Sequence, residues 1–170
     1  NGMVTKQEGA TTALADVQAT YQRRADLLPN LTKTVKAYAK HEKETFEAVT
    51  KARTEATQIK LDAESLTPEK LAAFQKVQGD VAAAFGRLMA IAENYPELKA
   101  SENFKDLQVQ LEGTENRINE ARQKYNDAVQ AYNQSVRTMP NVLVAGIFGF
   151  EKMSKFEAAE GSEKAPDLDI

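Results

Sequence analysis

The chain has no cysteine, no tryptophan and a single histidine among 170 residues. Without cysteine there is no disulfide, no thiolate nucleophile and no thiolate metal ligand, and the redox compartment stays open. The lone histidine, His41, opens the stretch HEKET. A zinc-protease helix needs a second histidine four positions on, and that position is Thr45. His41 therefore reads as a solvated helix residue. No glycine-rich loop follows a strand, so a phosphate cradle is excluded. No serine constellation surrounds His41 to make it a general base. No enzymatic activity and no cofactor are expected. Apolar runs are short as well, and none approaches the ~20 residues needed to cross a bilayer. An excess of one charge is also missing over most of the length. Lys plus Arg is 22, Asp plus Glu is 25, and the net charge is -3. The last twenty residues carry six acids and three lysines, which leaves 19 of each sign in the remainder. A neutral body does not attract a phosphate backbone, so nucleic acid is not an expected partner.

What the sequence does have is a helical period. A mostly apolar seam recurs at three and four positions from Leu14 through Val17, Tyr21, Arg24, Leu28, Leu31, Val35, Tyr38, Glu42, Thr45 and Val49 to Ala52. The same spacing runs from Leu71 to Tyr95 and from Phe104 to Met139. It puts one apolar seam on one face of each helix, and strand alternation is absent. The predicted fold is all-α: an antiparallel up-and-down bundle of three long helices plus a short fourth, with coiled-coil-like seams. Short connections near 62–67 and 96–101 force neighbouring helices to run antiparallel. Thr67 and Pro68 supply a cap and a first-turn proline. Pro96 follows the second helix, Ser101 or Asn103 can cap the third, and Pro140 closes it. At ~1.5 Å per residue the three segments measure roughly 70–80, 40 and 55 Å, so the first should overhang its partners or bend. Pro29 is the expected bend. A kink is favoured over a split, because the seam crosses Pro29 without slipping.

The bundle is read as residues 10–150, preceded by a remnant of a removed N-terminal anchor at 1–9 and followed by an acidic extended tail at 151–170. The fourth element is NVLVAGIFGF, 141–150. It reads as a cap on one bundle end. The competing reading is an interfacial membrane contact through Val142, Leu143, Ile147, Phe148 and Phe150. Glycine inside the second helix costs about 1 kcal/mol at each position relative to alanine. Gly79 and Gly86, seven apart, are therefore expected to face the tyrosines of the third helix, where a close approach offsets that cost.

Cut every seven residues, 118–138 reads INEARQK YNDAVQA YNQSVRT. Ile118, Tyr125 and Tyr132 share a seam column, and Asn119, Asn126 and Asn133 share the next. Such asparagines are expected to hydrogen-bond a neighbouring helix and fix its register. The alternative is that they line a polar ligand cleft. Arg24 and Glu42 fall in the first seam, and a charge buried alone is costly. Arg23 or Arg24 is expected to pair with Glu112 or Glu115. The candidate polar network is Arg23, Arg24, Glu112, Glu115, Asn116, Arg117 and Asn126.

Several stretches in order carry a resemblance: RRADLLPNL, YAKHEKETFEAVTKAR, GRLMAIAENYPELKASENF, LEGTENRINEARQKYNDAVQAYN and AGIFGF. From about Val4 to Phe156 the chain resembles the LemA family of bacterial proteins. Its opening NGMVTKQEG looks like the family segment that follows a hydrophobic anchor, and FEAAEGSEKAP is similar to Bacteroidetes members. Family signature residues match at Arg23, Asp26, Pro29, Asn30, Glu93, Pro96, Glu112, Gly113, Glu115, Asn116, Arg117, Tyr125 and Asn126. The resemblance implies a helical bundle held at a membrane by an upstream helix or lipid anchor, with no established enzymatic activity. The expectation is a scaffold or adaptor of the cell envelope with a protein partner. It would sit at the inner membrane on a single N-terminal anchor, its soluble domain on the periplasmic rather than the cytoplasmic side. The alternative is a ligand-binding sensor domain with its cleft near Glu115, Asn116 and Asn126.

Overall fold

A computed structural model of the chain describes residues 2–138 and 152–156. Five α-helices follow in order: α1, Gly2–Lys36; α2, Lys43–Gln58; α3, Pro68–Glu93; α4, Pro96–Ala100; and α5, Glu102–Arg137. A single 3-10 turn at Ala63–Ser65 sits between α2 and α3, and no strand occurs among the described residues. The boundaries follow local chemistry. Thr67 Oγ1 accepts from the Lys70 N–H at 3.1 Å with Pro68 behind it, so α3 starts with one orphan donor satisfied and another removed. Ser101 Oγ accepts from the Phe104 N–H at 3.2 Å and starts α5. Asn94 and Tyr95 separate α3 from the one-turn α4, which Pro96 opens.

The first amphipathic segment is not one helix, which corrects the expected 70–80 Å rod. It divides at 37–42, where Tyr38 lies exposed and Ala39 takes the buried place. Pro29 is not the break, since α1 runs unbroken through it. At ~1.5 Å per residue α1 and α5 both measure about 50–55 Å, so α1 has no overhang relative to α5. A continued rod would have carried Phe46, Val49 and Ala52 past the end of α5 into water. Folding back buries them against α1 and α3. Lys33 and Lys36 in the last turn of α1 suit the negative end of its dipole. His41 lies exposed in this turn rather than on a helix.

Two core clusters show the path. The upper one joins Leu28, Leu31 and Val35 of α1, Phe46 and Val49 of α2, Phe85 and Leu88 of α3, and Phe104 and Leu111 of α5. The lower one joins Leu14, Val17 and Tyr21 of α1, Leu71 and Phe74 of α3, and Ile118, Tyr125 and Val129 of α5. Met3 meets Tyr132 and Val136 at the far end. α1 and α5 are thus antiparallel along their whole length, and the order is up, down, up, down for α1, α2, α3 and α5. α2 covers only the upper half. In the lower half, Ile59, Leu61 and Leu66 of the connection and Phe156 of the extended segment cover the core instead.

The glycines of α3 do not face α5. A Cβ placed on Gly79 or Gly86 meets nothing within 4 Å, and Gly79 is exposed together with Ala72, Ala82, Ala83 and Ala90. The close approach expected from their spacing is absent. The fourth element, 141–150, with its candidate membrane residues Val142, Leu143, Ile147, Phe148 and Phe150, lies outside the described residues.

Candidate functional site

The buried face of α5 carries two polar constellations. The first is an ion pair in the middle of the bundle. Arg24 is 4% exposed, and its Nη1 donates to Glu115 Oε1 at 3.0 Å. Its Nη2 donates to the Gln78 backbone carbonyl at 2.8 Å and to Gln78 Oε1 at 3.2 Å. One guanidinium therefore links α1, α3 and α5, using its planar fork to reach two acceptors at once. It also lies 5.2 Å from the centre of the Tyr21 ring. Burial pushes the Tyr21 phenol up, against the opposing pull of the Arg122 and Arg24 charges. Arg24 Nε is buried with no hydrogen-bond partner among the described residues. The arrangement orients three helices.

The second constellation corrects the expected partner of the asparagines. Asn126 Nδ2 donates to the Phe156 carbonyl at 3.2 Å, and its Oδ1 accepts from the Phe156 N–H at 2.9 Å. Asn133 repeats the pattern on Met153, with Nδ2 to the carbonyl at 3.1 Å and Oδ1 from the N–H at 2.8 Å. Tyr125 Oη donates to the Ser154 carbonyl at 3.0 Å between them. The partner is an extended backbone, not a neighbouring helix. The spacing explains the match. Seven residues of helix advance ~10.5 Å, and three residues of extended chain advance ~10 Å. Two side-chain amides seven apart therefore meet two backbone amides three apart, with the segment antiparallel to α5.

Side chains complete the clasp. Phe156 is 4% exposed and stands edge-on to Tyr125 at 5.3 Å and to Phe74 at 6.4 Å. Phe74 in turn stands edge-on to Tyr21 at 5.2 Å. The Arg122 guanidinium lies 5.5 Å from the Phe156 ring centre, a cation–π distance. Met153 packs between the lower core and the Met3–Tyr132 cluster. Burial pushes the Tyr125 phenol up to about 12.

The remaining candidates are not gathered with these. Arg23, Glu112, Asn116 and Arg117 are exposed, and Asn119 is exposed one heptad above the clasp. Asn116 and Asn126 are ten residues apart, ~15 Å along the axis. Glu115 is held by Arg24, and both amide atoms of Asn126 are committed to Phe156. The three residues proposed to line a sensor cleft thus do not converge. No group of three or more metal-ligating side chains forms among the described residues. The part the residue pattern left unread was the clasp itself. A period-seven column on α5 and the MSKF stretch twenty residues later hold no shared signal until the chain folds.

These features define a class: an antiparallel helical bundle whose interior polar groups join its own segments. The family follows from comparison, since the profile of the LemA family matches residues 13–169. The chain belongs to the LemA family. It is 29% identical to the magnetosome protein MamQ of Magnetospirillum gryphiswaldense over 92% of this chain. It is 28% identical to the magnetosome proteins MamQ 1 and MamQ 2 of Paramagnetospirillum magneticum, again over 92% of this chain. The chain spans 64% of the length of each of these curated relatives.

Proposed function

We propose that this chain is a membrane-tethered helical-bundle scaffold or adaptor of the bacterial cell envelope that docks a helix of a protein partner. The observation that carries the reading is the outer face of α3. Its glycines cost about 1 kcal/mol each in a helix, and nothing among the described residues comes close enough to offset that cost. Beside them runs a groove of about 300 Å³ between α2 and α3. Its walls hold Ala48, Ala52, Ala83 and Ala84, and its sides carry Lys51, Glu55, Lys76, Asp80 and Arg87. A floor of small residues lets a second backbone come close, and charges of both signs favour a polar-rimmed amphipathic helix over a lipid surface.

The tether is the membrane part of the proposal. No described helix is long and apolar enough to cross a bilayer. The proposal puts the anchor outside the described residues and the bundle on the periplasmic side. The magnetosome relatives support an organelle or envelope setting. The test is photo-cross-linking in living cells from a probe at Ala83, with a probe at exposed Lys105 on α5 as control. A discrete protein adduct at Ala83, lost when Gly79 is replaced by a bulky residue, supports the proposal. Recovery of lipid or small molecules alone overturns it.

A further inference from the structure

We propose that the clasp on α5 is a docking groove for an extended peptide, and that its occupant in assemblies is residues 152–156 of a second copy of this chain. Recognition at this groove is self-contained. It reads two backbone amides through Asn126 and Asn133, one carbonyl through Tyr125, and an aromatic ring three residues after an apolar side chain. None of these contacts depends on the segment being joined to the α5 it rests on. A second copy supplies the same atoms, so exchange preserves every contact.

The connecting chain permits the exchange. Fourteen residue steps separate Thr138 from Lys152, a reach of roughly 46–50 Å when extended. The seat opposite Asn133 lies only about one helical turn, ~6 Å, back from the end of α5 at Arg137. That upper limit is several times what its own seat requires, so chain length does not bar a neighbour from donating the segment. With equal contacts in both arrangements, the balance is set by concentration. Exchange competes when neighbours approach the effective concentration, on the order of millimolar, that a short covalent connection provides. Met3, at the start of α1, lies beside Tyr132 and Val136 with Met153 packed on them. An anchor ahead of α1 therefore brings the donor and acceptor ends of adjacent copies together at one surface. This last point rests on the tethered scaffold reading, whereas the groove itself does not.

The absence of cysteine gives a clean test. Lys155 Nζ donates to Gln130 Oε1 at 3.4 Å, and both side chains are exposed. One preparation carries Gln130→Cys as acceptor, and another carries Lys155→Cys as donor. They are mixed, treated with a short bis-maleimide, and resolved on a denaturing gel. One arm is a concentration series in solution. The other binds both chains through N-terminal histidine tags to vesicles of phosphatidylcholine with nickel-chelating lipid. The expected result is a covalent heterodimer well above the dimer formed by either preparation alone. Phe156→Ala in the donor is expected to reduce it by more than about tenfold, since it removes the buried anchor of the groove. Met153→Pro in the donor removes the N–H that Asn133 accepts while leaving Phe156 in place, and is expected to reduce it also. Circular dichroism checks that both variants keep wild-type helicity. A heterodimer in solution, or on vesicles only, supports exchange. No heterodimer in either arm overturns it, as does a heterodimer that ignores Phe156→Ala and Met153→Pro. Either negative leaves capture of a different protein at the α2–α3 groove untouched.

Discussion

Removing the Glu115 carboxylate is expected to destabilise the bundle more than its single ion pair would suggest. Glu115→Ala leaves Arg24 buried, its side chain 5% exposed, with only the two neutral oxygens of Gln78 as acceptors. Its Nε already lacks a hydrogen-bond partner among the described residues. Breaking one side of a buried pair costs roughly 3–5 kcal/mol, most of it the uncompensated charge. The Glu115 side chain is 14% exposed, so some water reaches the site and the lower end applies, about 3 kcal/mol. That is a large share of the ~5–15 kcal/mol that stabilises a typical domain. For a domain of this size it corresponds to a melting temperature lower by roughly 6–12 °C. Thermal and urea denaturation followed by helical circular dichroism read it. The decisive comparison is Arg24→Met with Glu115→Leu. That double variant removes both charges, keeps an apolar chain beside Tyr21, and is expected to recover most of the loss. If Glu115→Ala costs under about 0.5 kcal/mol, or if the double variant is no better, the pair is a hydrated surface contact and the reasoning fails.

Gly79→Ala and Gly86→Ala are each expected to stabilise the isolated domain by about 0.5–1 kcal/mol, because the added Cβ meets open space and the helix gains propensity. A lower urea midpoint for either would contradict the exposed placement of that face. Tyr125 keeps its proton to about pH 12 when folded but to about pH 10 when unfolded. The folded state then holds the extra proton, so its contribution is complete below pH 10 and declines as pH rises toward 12. Tyr125→Phe is expected to flatten that part of the stability profile, and an unchanged alkaline limb would count against the burial. Asn126→Ala with Asn133→Ala releases the backbone of Phe156 and Met153. Trypsin is then expected to cut after Lys152 and Lys155 several-fold faster with helicity retained, and equal rates would show that the asparagines do not hold the segment.

Local chemistry accounts for much of the helix content. The seam predicted from Leu71 to Tyr95 is buried as far as Ala92 and half-buried at Tyr95, because three- and four-residue spacing leaves an amphipathic helix only one way to hide its apolar face. Thr67, Pro68 and Ser101 act within a turn of themselves, so their capping roles were legible without tertiary information. The division at 37–42 was not legible. No proline or glycine marks it, and the same three-four spacing continues on either side. It depends on the length of a partner helix some seventy residues away, which offers no core beyond its own end.

The sequence alone determined that this chain forms amphipathic helices, where α3 and α5 begin, and that an arginine had to find an acid. Periodicity and capping are properties of neighbours along the chain, which is why they can be read in one dimension. Only the tertiary structure decided that the chain turns back between α1 and α2, that Arg24 of α1 meets Glu115 of α5 beside Gln78 of α3, and that the α3 glycines face away from α5. It also decided that Asn126 and Asn133 grip an extended segment rather than a helix. These outcomes depend on which surfaces arrive opposite one another. An amide side chain bonds any backbone placed at the right spacing, so its partner is set by the packing and not by the column that carries it.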